Sequence, residues 1–221
     1  MKMNQIGKQF INLLAARKGS ARVMLYPYNQ KEWFRGAYKT LQQTKKGGLG
    51  PTGPALVMPL IFNSLSKIRP ATYDLDIKSL IQKVSNHGFT LGQSQKLCNM
   101  LIKYHLVYFF SKSDLVWNRK NPWVGKLAPR AHVPIDRFVL IRGAQLYPSY
   151  FKYLLKISMR FYKAWTLNIH IVWPRGSRSS HAWSKLNSYG PIDNLQQIFR
   201  TIAKTKGFLP IELEMRELWQ P

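Results

Sequence analysis

The sequence predicts a mainly helical fold built as one compact domain, and three observations support this prediction. Hydrophobic residues recur every three or four positions in several stretches, which is the period of an amphipathic helix. The chain is 45% hydrophobic and 13% aromatic, so it has enough apolar mass for a core. Neither a low-complexity linker nor an internal repeat divides the 221 residues, and we therefore predict a single domain over 1–221.

Helical stripes occur near the start, before the middle and near the end of the chain. They consist of Ile6, Phe10, Leu13 and Leu14, then of Ile77, Leu80, Ile81 and Val84, and finally of Leu195, Ile198, Phe199, Ile202 and Ala203. Proline and glycine clusters at 47–54, 121–129 and 173–177 predict loops, and each contains or adjoins a basic residue. The short apolar runs 170–173 and 209–212 are compatible with strands, and their structure stays open.

The charge of the chain indicates its partner. There are 34 Lys and Arg residues against 9 Asp and Glu residues, which gives a formal net charge of +25. Such a charge density destabilises a compact fold by self-repulsion unless a polyanion neutralises it. We therefore predict that the protein binds nucleic acid.

Cysteine and histidine usage excludes several classes of site. Cys98 is the single cysteine, which rules out a disulfide framework and a cysteine-rich metal cluster, and the five histidines show no metal-ligand spacing. We expect neither a metal nor a cofactor. The most apolar short run, 55–62, is far below the roughly 20 residues that cross a bilayer. An intracellular, cytoplasmic and nucleoid-associated protein without a membrane segment is therefore predicted.

The central part of the chain predicts two helices joined by a tight turn, over about 74–110. A helix at 74–86 is followed by the glycine hairpin Gly88–Gly92, and Thr90 and Gln93 have the spacing of a helix capping box. Glycines allow close backbone approach, and the start of a helix attracts phosphate. The residues predicted to grip the phosphate backbone here are Gly88, Gly92, Gln93 and Ser94.

The second of these helices carries two stripes. Leu97, Cys98, Leu101 and His105 form the first, and the second consists of the polar residues Gln93, Lys96, Asn99 and Lys103. A polar stripe on a helix usually faces away from the core. We therefore expect Lys96 to point outwards and Lys103 to contact nucleic acid.

Gly92, Lys96 four residues later, and the Pro134-Ile135-Asp136 sequence at the end of a loop (about 129–142) form a pattern. It resembles the helix-hairpin-helix DNA glycosylases, in which a hairpin glycine precedes the lysine of bifunctional members and a loop ends in Pro-Val-Asp or a close variant. The resemblance covers 74–142, although the connection from Lys96 to Asp136 is longer than is usual in that family and the hairpin lacks the Pro-Gly-x-Gly core.

The resemblance implies two catalytic residues. The Asp136 carboxylate would stabilise the positive charge that builds on the sugar when a base leaves. Lys96, after losing a proton, would attack C1′ and form a Schiff base that permits strand cleavage. The alternatives are that Asp136 caps the helix beginning at Arg137 and that Lys96 only contacts phosphate.

Base excision also requires a pocket that receives the flipped base. Trp117 and Trp123 lie in the long connection and are the preferred pocket residues, with Asn99 as a further candidate. Arg175 and Arg178 lie in a basic turn that suits phosphate contact.

The leading functional hypothesis is a DNA glycosylase that acts on double-stranded DNA and excises a modified or damaged base. The resemblance extends to phage-defence glycosylases that remove bulky modified cytosines, and it implies a modified cytosine of phage DNA as a candidate substrate. The alternatives are a non-catalytic DNA- or RNA-binding protein and a ribosome-associated or RNA-packaging protein. Both alternatives explain the charge and assign no chemistry to Lys96 or Asp136.

Overall fold

A computed structural model describes residues 29–39, 53–111, 115–151 and 188–218. The prediction of a mainly helical fold is confirmed, because helices, turns and short connections account for the described residues and no strand occurs among them. The undecided run 209–212 belongs to a helix start, not to a strand. The run 170–173 and the stripe that begins at Ile6 lie outside the described residues.

The described helices are numbered in chain order. They are α1 Gln30–Lys39, α2 Gly53–Leu65, α3 Tyr73–Ser85, α4 Leu91–Ser111, α5 Leu115–Lys120, α6 Pro122–Leu127, α7 Arg137–Leu146, α8 Tyr189–Thr205 and α9 Pro210–Leu213. A 3₁₀ turn, Pro70–Thr72, leads into α3, and a π-helical turn, Glu214–Leu218, continues α9. None of the described helices is long and apolar enough to cross a membrane.

Helix α4 is the central element of the fold. Helices α1, α3 and α6 all pack against it, and most of its residues are buried, including those of its polar stripe. Lys96 is only 7% exposed and Lys103 only 1%. The prediction that this stripe faces outwards is therefore wrong, because a helix covered on every side must bury its polar residues with internal partners.

Helix α3 is amphipathic, as its sequence predicts. The stripe Ile77, Leu80, Ile81 and Val84 is buried, and the observed helix differs from the predicted one by a single residue at each end. Asp74 and Asp76 lie in its first turn, where carboxylates interact favourably with the helix dipole.

An aromatic cluster joins α1 and α5 to the central helix. Trp33 is fully buried, and its ring centroid lies 5.0 Å from that of His105 and 5.3 Å from that of Tyr108. Trp117 packs edge-on against Tyr108 at 5.1 Å and is 9% exposed. Trp117 is thus a core residue, which corrects its assignment to a base pocket. Its indole packs among other aromatic rings and contributes buried apolar surface to the fold.

Candidate functional site

The turn between α3 and α4 is short and closed by reciprocal hydrogen bonds. Gly88 has a φ of +90°, which is the left-handed region that favours glycine. The predicted capping box is present: the Thr90 backbone N–H donates to Gln93 Oε1 at 3.0 Å, and the Gln93 N–H donates to Thr90 Oγ1 at 3.1 Å. These bonds fix the direction in which α4 starts.

Three of the residues predicted to contact phosphate lie in the first turn of helix α4. Gly92 is buried in the first turn of α4, Gln93 is 8% exposed, and the fully buried Ser94 donates its hydroxyl to Thr90 O at 2.9 Å. The predicted hairpin is therefore too long, since α4 already begins at Leu91. Gly88 is the exposed member of the predicted set.

The long connection after α4 returns to the same helix. Two glutamine side chains hold its last residues, and each pairs with the backbone of one residue through both its amide oxygen and its amide nitrogen. Gln95 accepts from Ile135 N at 3.3 Å and donates to Ile135 O at 2.7 Å, although the two residues are 40 positions apart. Gln196 of α8 does the same for Val133, at 2.9 and 2.7 Å. We call this arrangement the glutamine clamp.

The clamp places Asp136 at the start of α7 and opposite Lys96. The Lys96 Nζ atom lies 3.4 Å from Asp136 Oδ2, and the two side chains are 9% and 14% exposed. Asp136 Oδ1 accepts a hydrogen bond from Val139 N at 3.0 Å and so caps α7. The two oxygens have separate partners, which makes the capping role of Asp136 compatible with a chemical one.

A second ion pair lies further along the same stripe of α4. Lys103 Nζ contacts Glu214 Oε1 at 2.8 Å and Oε2 at 3.1 Å, and both side chains are 1% exposed. The predicted phosphate contact of Lys103 is therefore wrong, because this ammonium is directed into the protein interior. Charge-assisted hydrogen bonds to both carboxylate oxygens compensate its desolvation.

Asn99 lies between the two lysines on α4 and is fully buried. Its side-chain nitrogen donates to Gln95 Oε1 at 3.2 Å, which links it to the glutamine clamp. Its Oδ1 has no hydrogen-bond partner among the described residues. Asn99, predicted to line a base pocket, is thus part of the buried polar stripe.

The four charged side chains influence one another, as the Glu214 carboxyl shows. Burial raises the pKa of Glu214, and the adjacent Lys103 ammonium opposes this shift. The charge of Asp136 raises the pKa of Glu214 further, while that of Lys96 lowers it. Lys96, Lys103, Asp136 and Glu214 therefore form one electrostatic unit, which we call the charged quartet.

Sequence reasoning missed Glu214 and both clamp glutamines. Glu214 is one of only nine acidic residues, a rarity that marks each carboxylate in this chain as worth explaining. The glutamines carry no comparable signal, since an amide side chain is equally compatible with a surface position.

A second polar cluster lies beside the clamp, where His132 and Arg200 both contact the Asp74 carboxylate. His132 Nε2 lies 2.9 Å from Asp74 Oδ1, and Arg200 contacts both carboxylate oxygens at 2.6 and 2.9 Å. The His132 hydrogen bond, followed by that of Arg200, holds the pKa of Asp74 well below its usual range. Burial lowers the pKa of His132. This cluster ties α3 and α8 to the clamped segment.

The remaining predicted residues occupy separate positions. Trp123 is partly buried, its ring centroid lies 5.8 Å from that of His105, and its Nε1 donates to Asn121 Oδ1 at 3.3 Å. It therefore borders the aromatic cluster and lies closer to the surface than Trp117 does. Arg175 and Arg178 lie outside the described residues.

Neither a metal centre nor a known relative defines the site. In the described part of the chain, no group of three or more His, Cys, Asp or Glu side chains could hold a metal ion. No protein-family model, curated protein or solved structure matches the chain. Function has to be inferred from the charged quartet and the surface charge.

Proposed function

We propose that this protein is a DNA glycosylase of the helix-hairpin-helix type, in which Asp136 and Lys96 act on the sugar of a flipped-out, modified or damaged base. One observation carries the proposal: Lys96 Nζ and Asp136 Oδ2 lie 3.4 Å apart at the end of a connection that the glutamine clamp returns to α4. A lysine and an aspartate in contact are the pair of groups that this chemistry requires.

Asp136 suits the stabilisation of a cationic sugar. Breaking the bond between C1′ and the base leaves the electron pair on the base and positive charge on the sugar. A carboxylate that is only 14% exposed acts through a medium less polar than water, where its attraction for that charge is stronger. Its position is fixed in advance, because its other oxygen caps α7.

Lys96 suits nucleophilic attack on the same carbon. After transferring a proton to a base such as water, its amine forms a bond to C1′ of the opened sugar and expels water to give a Schiff base. Loss of a C2′ proton then expels the 3′ phosphate and cleaves the strand. Lys96 is held beside Asp136 at the clamped end of the connection, which supplies the proximity that action of both groups on one sugar requires.

The surface charge supports DNA as the partner. Several described carboxylates are already paired with basic residues of the protein itself, including Asp74 with Arg200, Asp136 with Lys96 and Glu214 with Lys103. The basic residues that remain exposed are therefore available to phosphates. Four of them lie in the connection between the two catalytic residues, namely Arg119, Lys120, Lys126 and Arg130. The substrate class that we propose is a bulky modified base, such as a modified cytosine, and a DNA-bound protein would be nucleoid-associated within a cell.

Two substitutions test the proposal. With a duplex oligonucleotide containing one aldehydic abasic site, borohydride should crosslink the wild type, and Lys96→Gln should abolish the crosslink. With duplexes carrying modified cytosines, uracil or 8-oxoguanine, Asp136→Asn should lower base release at least about 100-fold. Asparagine also caps helices well, so this variant should stay folded and keep its affinity for DNA.

An exposed lysine away from Asp136 provides the matched control. Lys83→Gln changes an exposed lysine at the end of α3 and should leave the crosslink unchanged. If wild type releases none of these bases and forms no crosslink with abasic DNA, the enzymatic proposal is rejected.

A second candidate is a non-catalytic DNA- or RNA-binding protein. It is favoured by the low exposure of the Lys96–Asp136 pair, 9% and 14%, because a structural ion pair that caps a helix is buried in the same way. Under this proposal wild type and Asp136→Asn bind nucleic acid alike, and neither releases a base.

A further inference from the structure

The charged quartet consists of two ion pairs on one face of α4. Lys96 and Lys103 are seven residues apart, which is close to two helical turns, so they project from the same side of the helix about 10 Å apart along its axis. Asp136 approaches from the start of α7, and Glu214 approaches from the π-helical turn near the end of the chain. The second pair therefore lies beside the residues to which we assign the chemistry.

The Lys103–Glu214 pair is sealed from solvent. Both side chains are 1% exposed, and Glu214 accepts from Lys103 through both oxygens. Removing the carboxylate would leave a buried ammonium without its counterion, two turns from Lys96. That cation would repel the Lys96 ammonium and attract the Asp136 carboxylate.

The C-terminal segment is anchored so that Glu214 stays in place. Arg142 of α7 donates from Nε to Glu217 O at 3.4 Å, and the Tyr147 hydroxyl donates to the Glu217 carboxylate. Tyr104 of α4 also interacts with Glu214, and burial, followed by the Glu214 charge, raises the Tyr104 pKa. The charged and titratable groups around Glu214 thus come from α4, α7 and its own segment.

We propose that Glu214 is a positioning residue that cancels the charge of Lys103 and so preserves the pairing of Lys96 with Asp136. The proposal rests on the proposed function, because it assigns to Glu214 a role in setting the protonation of the catalytic lysine. Glu214 itself does not touch the DNA sugar. The carboxylate that balances Lys103 lies 111 residues away from it in sequence.

The test measures the pH midpoint of borohydride crosslinking to duplex DNA with one abasic site. In Glu214→Gln the introduced amide still accepts from Lys103, so an uncompensated cation remains near Lys96, which favours loss of the Lys96 proton. The midpoint should move to lower pH by about one unit. In the double variant Lys103→Met with Glu214→Gln the extra cation is gone, and the midpoint should return to within about 0.3 units of wild type.

Glu217→Gln is the matched control: it removes a carboxylate charge from the same turn, while its amide oxygen can still accept from Tyr147 and keep the segment anchored. It should leave the midpoint unchanged. An unshifted midpoint in folded Glu214→Gln, or a double variant displaced as far as the single one, would overturn the proposal. If Glu214→Gln does not fold, the double variant decides: a midpoint within about 0.3 units of wild type supports charge cancellation, and a larger displacement contradicts it.

A second measurement separates this proposal from the proposed function. Reductive methylation with isotope-labelled formaldehyde gives an NMR signal for Lys96 whose titration needs no DNA, and Lys96→Gln assigns that signal. If wild type forms no crosslink but the Lys96 titration moves with Glu214→Gln and returns in the double variant, the enzymatic function fails while the electrostatic role of Glu214 stands. If crosslinking occurs and the titration does not move, only the role of Glu214 fails.

Discussion

His105 shows how burial sets the behaviour of a single residue. Its ring is 3% exposed and packs edge-on against Trp33, and its Nδ1 lies 2.8 Å from Leu101 O. A neutral imidazole can donate from Nδ1 to that carbonyl while its other face stays among aromatic rings. Desolvation therefore lowers the pKa of His105 from 6.5 to about 4.

The lowered pKa of His105 predicts a loss of stability in mild acid. The unfolded chain takes up a proton below its ordinary pKa of 6.5, whereas the folded protein does so only near pH 4. The contribution of the neutral His105 ring to the free energy of unfolding is therefore fully present above pH 6.5. It decreases as the pH falls, by about 2 kcal/mol between pH 7.5 and 5. Chemical denaturation at both pH values measures it, and His105→Phe should reduce the difference.

Two neighbouring groups help to interpret that measurement. The burial-lowered pKa of His132 acts in the same direction as that of His105, so His105→Phe should leave part of the slope. Asp74 has a lowered pKa for a different reason, its bonds to His132 and Arg200, and its contribution is present above pH 4 and lost below it. An unchanged slope in His105→Phe would contradict the assignment to His105.

Individual site residues were only partly predictable. The Gly92–Lys96 spacing and the Pro134-Ile135-Asp136 motif singled out two residues, Lys96 and Asp136, that the structure does bring into contact. The orientation of Lys103 was not predictable, because helical periodicity sorts residues into stripes without indicating which stripe another layer covers. Its partner Glu214 lies 111 positions away, so no local pattern joins them.

At the scale of elements, the α3–α4 turn depends on one backbone conformation. Gly88 has a φ of +90°, so Gly88→Ala should destabilise the protein by about 1 kcal/mol. Gly190 is a control within a helix: a Cβ there meets nothing within 4 Å, and Gly190→Ala should be neutral or stabilising by up to about 1 kcal/mol. Thermal or urea denaturation compares the two, and equal effects would show that the turn tolerates other conformations.

The start of a helix was predictable where capping residues precede it. Thr90 and Gln93 predicted a capped start for α4, and their reciprocal hydrogen bonds are observed. The run 209–212 could not be decided because four apolar or polar residues fit either period. There the Glu212 side chain accepts from the Leu209 N–H, and Pro210 occupies the first helical turn, which together start a helix.

At the scale of the whole molecule, the distribution of charge determines how the protein should respond to salt. Lys120 and Lys126 are exposed in the connection between Lys96 and Asp136. Changing both to Gln should reduce the slope of log affinity for duplex DNA against log salt by about 2, since each lost phosphate contact removes about 0.9.

A charge-matched variant distinguishes local contacts from net charge. Lys31→Gln with Lys67→Gln removes two exposed cations, one from α1 and one from the turn that follows α2. It should change the slope much less, because long-range attraction by itself releases few counterions. Equal slopes for the two double variants would place the DNA elsewhere on the surface.

The glutamine clamp has a consequence for how this protein would work as ionic strength varies. Gln95 holds Ile135 and Gln196 holds Val133 through buried hydrogen bonds between neutral groups. Dissolved ions do not screen such hydrogen bonds as they screen exposed charges. Salt should therefore release the DNA while leaving Asp136 aimed at Lys96. The affinity for DNA would then depend on salt, whereas the arrangement of Asp136 beside Lys96 would not. A protein that dissociates from one DNA site would reach the next with this arrangement intact.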